Sequence, residues 1–200
     1  MTSDGRPGEL RVGAIVLAAG RSTRMGALNK LLAPVGGEPM LTRVVRGLVD
    51  ARIDPIVVVT GHDEAAVQAA CADLPVGFAY NADFARGMST SLRCGVTAIA
   101  IDPDVDGALV ALGDMPWIEP SHLERLVRAF RSSADIVAPR FGGRRGNPVL
   151  FGRDHFPALR RATGDAGARS VLAQQASGVR WVDMPDDAIH RDVDTAQDLG

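Results

Sequence analysis

The residues with the clearest chemistry lie at positions 17–31, LAAGRSTRMGALNKL. Gly20 and Gly26 let backbone N–H groups approach an anion without a Cβ in the way, and Arg21, Arg24 and Lys30 add positive charge. Of the 22 lysines and arginines in the chain, only Lys30 is a lysine, so the compact ammonium occurs once, in this segment. That combination suits phosphate. The segment is not a P-loop, because GxxxxGK[ST] is absent, and it is not GxGxxG, so ATPase and dinucleotide-binding readings lose their main support. Its complement is Asp114 in Gly113-Asp114-Met115-Pro116, a carboxylate placed to bind Mg²⁺ or to cap a turn. The residue pattern alone leaves those two roles for Asp114 about even.

These groups need a scaffold that brings them together. Residues 12–17 form an apolar run that reads as a buried strand, and further apolar runs at 56–59, 76–80 and 107–112 read as strands too. Between them lie helical spacings: apolar residues at 41, 44, 45, 48 and 49, a helix through Cys71, and a helix from Ser89 with apolar residues at 92, 96 and 99. Ser121 with Glu124 three residues on has capping-box spacing and predicts a helix to Phe130. Short strands are expected at 136–138 and 149–151 around a turn at 142–146. Helices near 154–162 and 169–176 and a strand at 179–182 follow. This alternation predicts an α/β fold, a doubly wound, mainly parallel sheet with helices on both faces. In such sheets ligands bind at the carboxyl ends of strands, where both the opening loop and Asp114 fall.

Composition narrows the class. Two hundred residues with 46% hydrophobic content predict one domain over residues 12–200 behind a flexible tail, 1–11. A net charge of −2 argues against a nucleic-acid binder, so phosphate chemistry is local. The polar residues 1–11 lack the apolar core of a signal peptide and no later run has the length of a membrane span, which predicts a cytoplasmic protein. Cys71 and Cys94 lack metal-ligand spacing and read as reduced thiols. The four histidines are scattered, and GxSxG is absent, which disfavours a serine hydrolase. Trp117 and Trp181 read as packing residues, with Trp117 also near enough to Asp114 to line a pocket.

LAAGRSTRMG followed by Lys30 resembles the signature loop of the MobA-like nucleotidyltransferases, and its LAAG form looks like the molybdopterin cytidylyltransferase branch. Four further segments follow in the family's order: residues 81–92, the GDMP segment, Arg145 to Leu150 and Gly164 to Arg169, and Asp192-Val193-Asp194-Thr195 resembles the family's ending. The resemblance implies a Rossmann-like fold of the nucleotide-diphospho-sugar transferase type. It implies transfer of CMP from CTP to the terminal phosphate of molybdopterin or molybdenum cofactor, with Mg²⁺ or Mn²⁺ and release of pyrophosphate. Catalysis is then expected of Lys30, Arg24 and Asp114. Nucleotide contacts are expected from Leu17, Ala18, Ala19, Gly20, Arg21, Arg24, Lys30, Arg86, Gly87, Ser89 and Ser91. Asn147, Gly164, Asp165, Gly167 and Arg169 are expected to take the second substrate, and metal ligands are expected from Asp114 with Asp192 or Asp194. Those last two aspartates are equally readable as caps of a final helix.

Within the resemblance, the base turns on Ala19, whose methyl replaces a glycine common in guanylyltransferases and leaves less room for a purine. The three residues between Gly26 and Lys30 match a spacing frequent in guanylyltransferases, so GTP stays a competing substrate. Two other readings remain open: a short sugar-phosphate nucleotidyltransferase, and a non-catalytic carrier of molybdopterin or nucleotide. Handing on a labile cofactor implies transient contact with proteins that mature molybdenum enzymes.

Overall fold

The computed structural model describes residues 10–20, 29–164 and 167–193. Arg21, Arg24, Asp165 and Asp194 lie outside the described residues. The first strand, β1 (Val12–Leu17), is apolar throughout, and its side chains divide by parity. Val12, Ala14 and Val16 pack on one face of the sheet, and Ile15 on the other.

A small hairpin, β2 (Pro34–Val35) and β3 (Glu38–Pro39), leads into α1 (Met40–Asp50). Next come β4 (Ile56–Thr60), α2 (Glu64–Ala70), β5 (Gly77–Tyr80), α3 (Met88–Ile99) and β6 (Gly107–Leu112). Then α4 (Pro120–Ala129) precedes β7 (Ile136–Phe141), β8 (Arg144–Arg145) and β9 (Val149–Gly152). The described chain continues through α5 (Phe156–Arg161), α6 (Ala168–Gln174) and β10 (Val179–Asp183). Buried residues of α1, α2 and α4 cover one face, and those of α3, α5 and α6 the other, so the sheet is doubly wound as its alternation predicts.

The strand order is β10-β7-β9-β6-β1-β4-β5, with β8 pairing β7. β1 lies between β4 and β6, parallel to both, and chain order reverses there. Leu17 is in register with Leu112, so β1 and β6 end side by side and open the crevice where doubly wound sheets bind ligands. The sheet is mixed but mostly parallel: β9 runs antiparallel between β6 and β7. That reversal carries the segment just before it, Gly146-Asn147, back toward the crevice.

β7 runs to Phe141, past the expected end at 138, and two helix starts shift by two residues. α4 begins at Pro120, not after a capping Ser121, because proline pre-sets φ at a first helical position, and Glu119 takes the cap. The Glu119 N–H donates to His122 Nδ1 (3.0 Å), while Glu124 pairs with Arg128 a turn later (2.6 Å). The helix expected from residue 154 begins at Phe156, after one 3₁₀ turn at Arg153–His155.

Candidate active site

Gly113 follows β6 and donates its N–H to the Leu17 carbonyl (3.1 Å), which ties the two strand ends and delivers Asp114 next in the chain. Lys30 approaches from the 3₁₀ turn Lys30–Leu32. Asn29 Oδ1 accepts from the Leu31 N–H (3.1 Å), and buried Leu31 seats that turn in the core. Lys30 Nζ then donates to Asp114 Oδ2 (2.8 Å) and to the Val193 carbonyl (2.9 Å). The Lys30 and Asp114 side chains are 15% and 21% exposed, so each charge is largely withdrawn from water and held by the other.

Asp114 has a second feature suited to a cation. Among the described residues, its Oδ1 is buried without a hydrogen-bond partner. A buried carboxylate oxygen without a donor is costly, and a divalent ion is one way to meet that cost. The donor chemistry therefore fits Mg²⁺ or Mn²⁺ at Asp114. Asp192 is exposed and lies one residue before Val193, and Asp194 is outside the described residues. No group of three or more His, Cys, Asp or Glu positioned for a metal occurs among the described residues.

The residues after β1 are stitched to β4. Ala18 donates to the Val59 carbonyl (3.0 Å), and the Ala19 carbonyl accepts from His62 N–H (3.2 Å). Ala19 is 3% exposed, with its methyl turned toward Gly61: a Cβ at Gly61 would sit 2.8 Å from it and 2.8 Å from Phe84. Gly61 thus sets the space in which residue 19 lies, a role with no signature in the sequence. Gly20 is exposed at the end of this stretch.

The loop before α3 is organised by Asn81, which motif reading passed over. Its Nδ2 donates to Thr90 Oγ1 (2.8 Å) and Ser91 Oγ (3.0 Å), and its Oδ1 accepts from the Asp83 N–H (3.0 Å). Ser91 is therefore buried and engaged within the loop. Ser89 is also buried, and its N–H donates to the Gly164 carbonyl (3.2 Å), which joins the start of α3 to the loop before α6. Gly87 has φ +112, a backbone that favours glycine, while Arg86 is exposed and pairs loosely with Asp83 (3.5 Å).

A cavity of about 240 Å³ opens where β1 and β6 end, between Leu17 and Leu112 on its floor and α6 on its wall. Asn147 and Arg169, expected from separate motifs, both line it, and Arg145 joins them without having been singled out. Gly167, with φ +50, packs against Met88, another wall residue, whereas Gly164 does not line the cavity. An apolar floor with guanidinium groups at the rim suits a ligand with a flat body and an anionic group.

A lysine after the first strand thus meets an aspartate after the fourth long strand, and a separate cavity opens at the ends of the same two strands. The model of the MobA-like NTP transferase domain matches residues 14–179. The chain belongs to that family. It is 31% identical to nicotine blue oxidoreductase of Paenarthrobacter nicotinovorans over 94% of both chains. It is 39% identical to the bifunctional protein GlmU of Alkalilimnicola ehrlichii over 72% of this chain, and spans 30% of that relative's length. Among solved structures, Rv0371c of Mycobacterium tuberculosis matches with a TM-score of 0.81 at 27% identity, over 95% of this chain and 96% of that one. The same mycobacterial protein is known as a complex with manganese, which matches at a TM-score of 0.77 and 28% identity over 94% and 95% of the two chains. The fold is accordingly Rossmann-like, the chain carries the NTP transferase domain of that family, and enzymes of that family typically depend on a divalent metal. No helix among the described residues is long and apolar enough to cross a membrane.

Proposed function

We propose that this chain transfers CMP from CTP to the terminal phosphate of molybdopterin or molybdenum cofactor and releases pyrophosphate. The observation that carries the reading is the Lys30–Asp114 pair at the end of β6, beside a cavity rimmed by Asn147 and Arg169. In this reading a terminal phosphate oxygen of the acceptor forms a bond to the α-phosphorus while the bond from that phosphorus to the bridging oxygen breaks. Lys30 donates to triphosphate oxygens as negative charge moves onto the leaving pyrophosphate, and Arg24 and Arg21 are assigned to the same triphosphate on the family resemblance. Asp114, with Asp192 or Asp194, would hold Mg²⁺, whose charge stabilises the leaving group. Gly20, Gly87 and the buried start of α3 shape the nucleotide side, and Asn147 and Arg169 orient the acceptor.

LAAG at 17–20 favours cytosine, and the spacing from Gly26 to Lys30 is what favours a guanylyltransferase instead. Purified protein given molybdopterin, Mg²⁺ and either CTP or GTP separates them by pyrophosphate release. Preferential use of CTP supports the reading, and use of GTP alone replaces CMP by GMP. Pyrophosphate released only with sugar phosphates points to the sugar-phosphate reaction. No pyrophosphate with any acceptor, but retained delivery of molybdopterin by Lys30→Ala, points to a carrier.

A further inference from the structure

We infer that residues 184–193 form a strap that holds Lys30 and the Gly146-Asn147 loop in fixed relation, which makes Asp186 and Arg191 positioning residues for the transfer site. The name of that site rests on the proposed function; the strap itself rests on geometry. The segment is fastened first at Met184, whose N–H donates to the Arg140 carbonyl (2.9 Å). Asp186 is the second fastener. His122 is 2% exposed, and because its Nδ1 accepts from the Glu119 N–H, the ring proton of the neutral form sits on Nε2. That nitrogen donates to the Asp186 carboxylate (3.2 and 3.3 Å), which also accepts from the Ala188 N–H (3.0 Å). At the third, the Arg191 guanidinium lies over the Trp117 ring, 4.5 Å from its centroid.

Between and just beyond these fasteners the strap touches both halves of the site. The Ile189 carbonyl accepts from the Asn147 N–H (3.1 Å), and Ile189 presses on Gly146 so closely that a Cβ there would come 2.5 Å from that carbonyl. Four residues on, fully buried Val193 donates its N–H to the Asp114 carbonyl (2.9 Å) and accepts from Lys30 Nζ. A lysine has a long, freely rotating stem, and fixed acceptors around its ammonium select one of its arrangements. One of those acceptors is strap backbone. The strap thereby fixes where the ammonium sits relative to the acceptor loop.

The single lysine makes this measurable without any substrate. An amine-acylating reagent, applied to the whole protein well below its melting temperature and followed by peptide mass spectrometry, reports whether Lys30 stays in its niche. Asp186→Ala is expected to raise the Lys30 labelling rate about five-fold, the scale of one lost hydrogen bond, while Asp186→Asn, which keeps an acceptor oxygen, stays near the parent rate. Arg191→Ala, at an exposed position, should act in the same direction and serves if Asp186→Ala does not fold. Labelling that is unchanged in the alanine variants while their melting temperatures fall overturns the proposal, because that is what a fastener without a positioning role gives. An equal rise in Asp186→Asn and Asp186→Ala overturns it as well. Pyrophosphate release, measured in parallel, tests the reaction independently: an inactive parent protein refutes the reaction and leaves the labelling result standing.

Discussion

Lys30 Nζ sits 2.8 Å from Asp114 Oδ2 although the two residues are 84 positions apart in the chain, one on a 3₁₀ turn packed against α1 and the other just past the end of β6. In the proposed reaction a triphosphate and a divalent ion each claim one member of this pair. Phosphate oxygens can take over Lys30 while metal takes over Asp114, so loading the site exchanges partners without stranding a buried charge.

Replacing either member should therefore cost chemistry more than folding. Lys30→Ala and Asp114→Asn are each expected to lower kcat by about 10² to 10³, the loss typical of a group that stabilises charge in the transition state. Lys30→Arg should not restore activity, since the planar guanidinium does not fit between two acceptors arranged for an ammonium. Steady-state pyrophosphate release with each variant checks this, and Asp114→Asn should in addition weaken Mn²⁺ binding in calorimetry.

The cavity residues should behave differently. Asn147→Ala and Arg169→Ala are expected to raise KM for the phosphorylated acceptor about ten-fold, as one lost charge-assisted hydrogen bond would, and to leave KM for the nucleotide near its parent value. Initial rates with one substrate varied at a time separate the two constants.

Gly61→Ala tests the packing beneath the nucleotide loop. Its added methyl would lie 2.8 Å from both Ala19 and Phe84, so one of them must move. Overpacking of this kind costs about 1–3 kcal/mol, visible as a lower midpoint in denaturant unfolding. The shift should be accompanied by a higher KM for nucleotide, because the strain falls on residue 19.

Burial pushes the Cys71 thiol up to about 11, and it raises Cys94 in the same direction. Only the thiolate attacks disulfide reagents, and its share at Cys71 near pH 8 is about 10⁻³. Native protein should accordingly react slowly with such a reagent at pH 8. Cys94, half-buried, should lead Cys71, and both should react at once on unfolding. The rate at Cys71 should climb as pH rises toward 11.

The parts of this site that were legible in the sequence are those carried by side-chain type. β-Branched runs gave the parallel strands, glycine-bounded loops at their ends gave Lys30 and Asp114, and the family resemblance gave Asn147 and Arg169; the fold pairs the first two and sets the other two around one cavity. Main-chain partnerships left no such trace. Val193 reads as an apolar residue between two aspartates, yet its carbonyl and N–H hold Lys30 and Asp114. Asn81 entered only as the first residue of a family-like segment, whereas it bonds both Thr90 and Ser91. The reversed direction of β9 escaped because apolar runs do not encode which way a strand points, and Glu119 was missed as a cap because the serine after Pro120 has the commoner capping type.

The central claim is nucleotidyl transfer at the Lys30–Asp114 crevice, and phosphorus NMR of a complete reaction tests it most directly. With CTP, molybdopterin, Mg²⁺ and the parent protein, pyrophosphate should form in equal amount to an acceptor whose terminal phosphate has become a diphosphate linkage to CMP, and Lys30→Ala should suppress both signals. Consumption of CTP that leaves the acceptor phosphate unchanged, or undiminished transfer by Lys30→Ala, would contradict it.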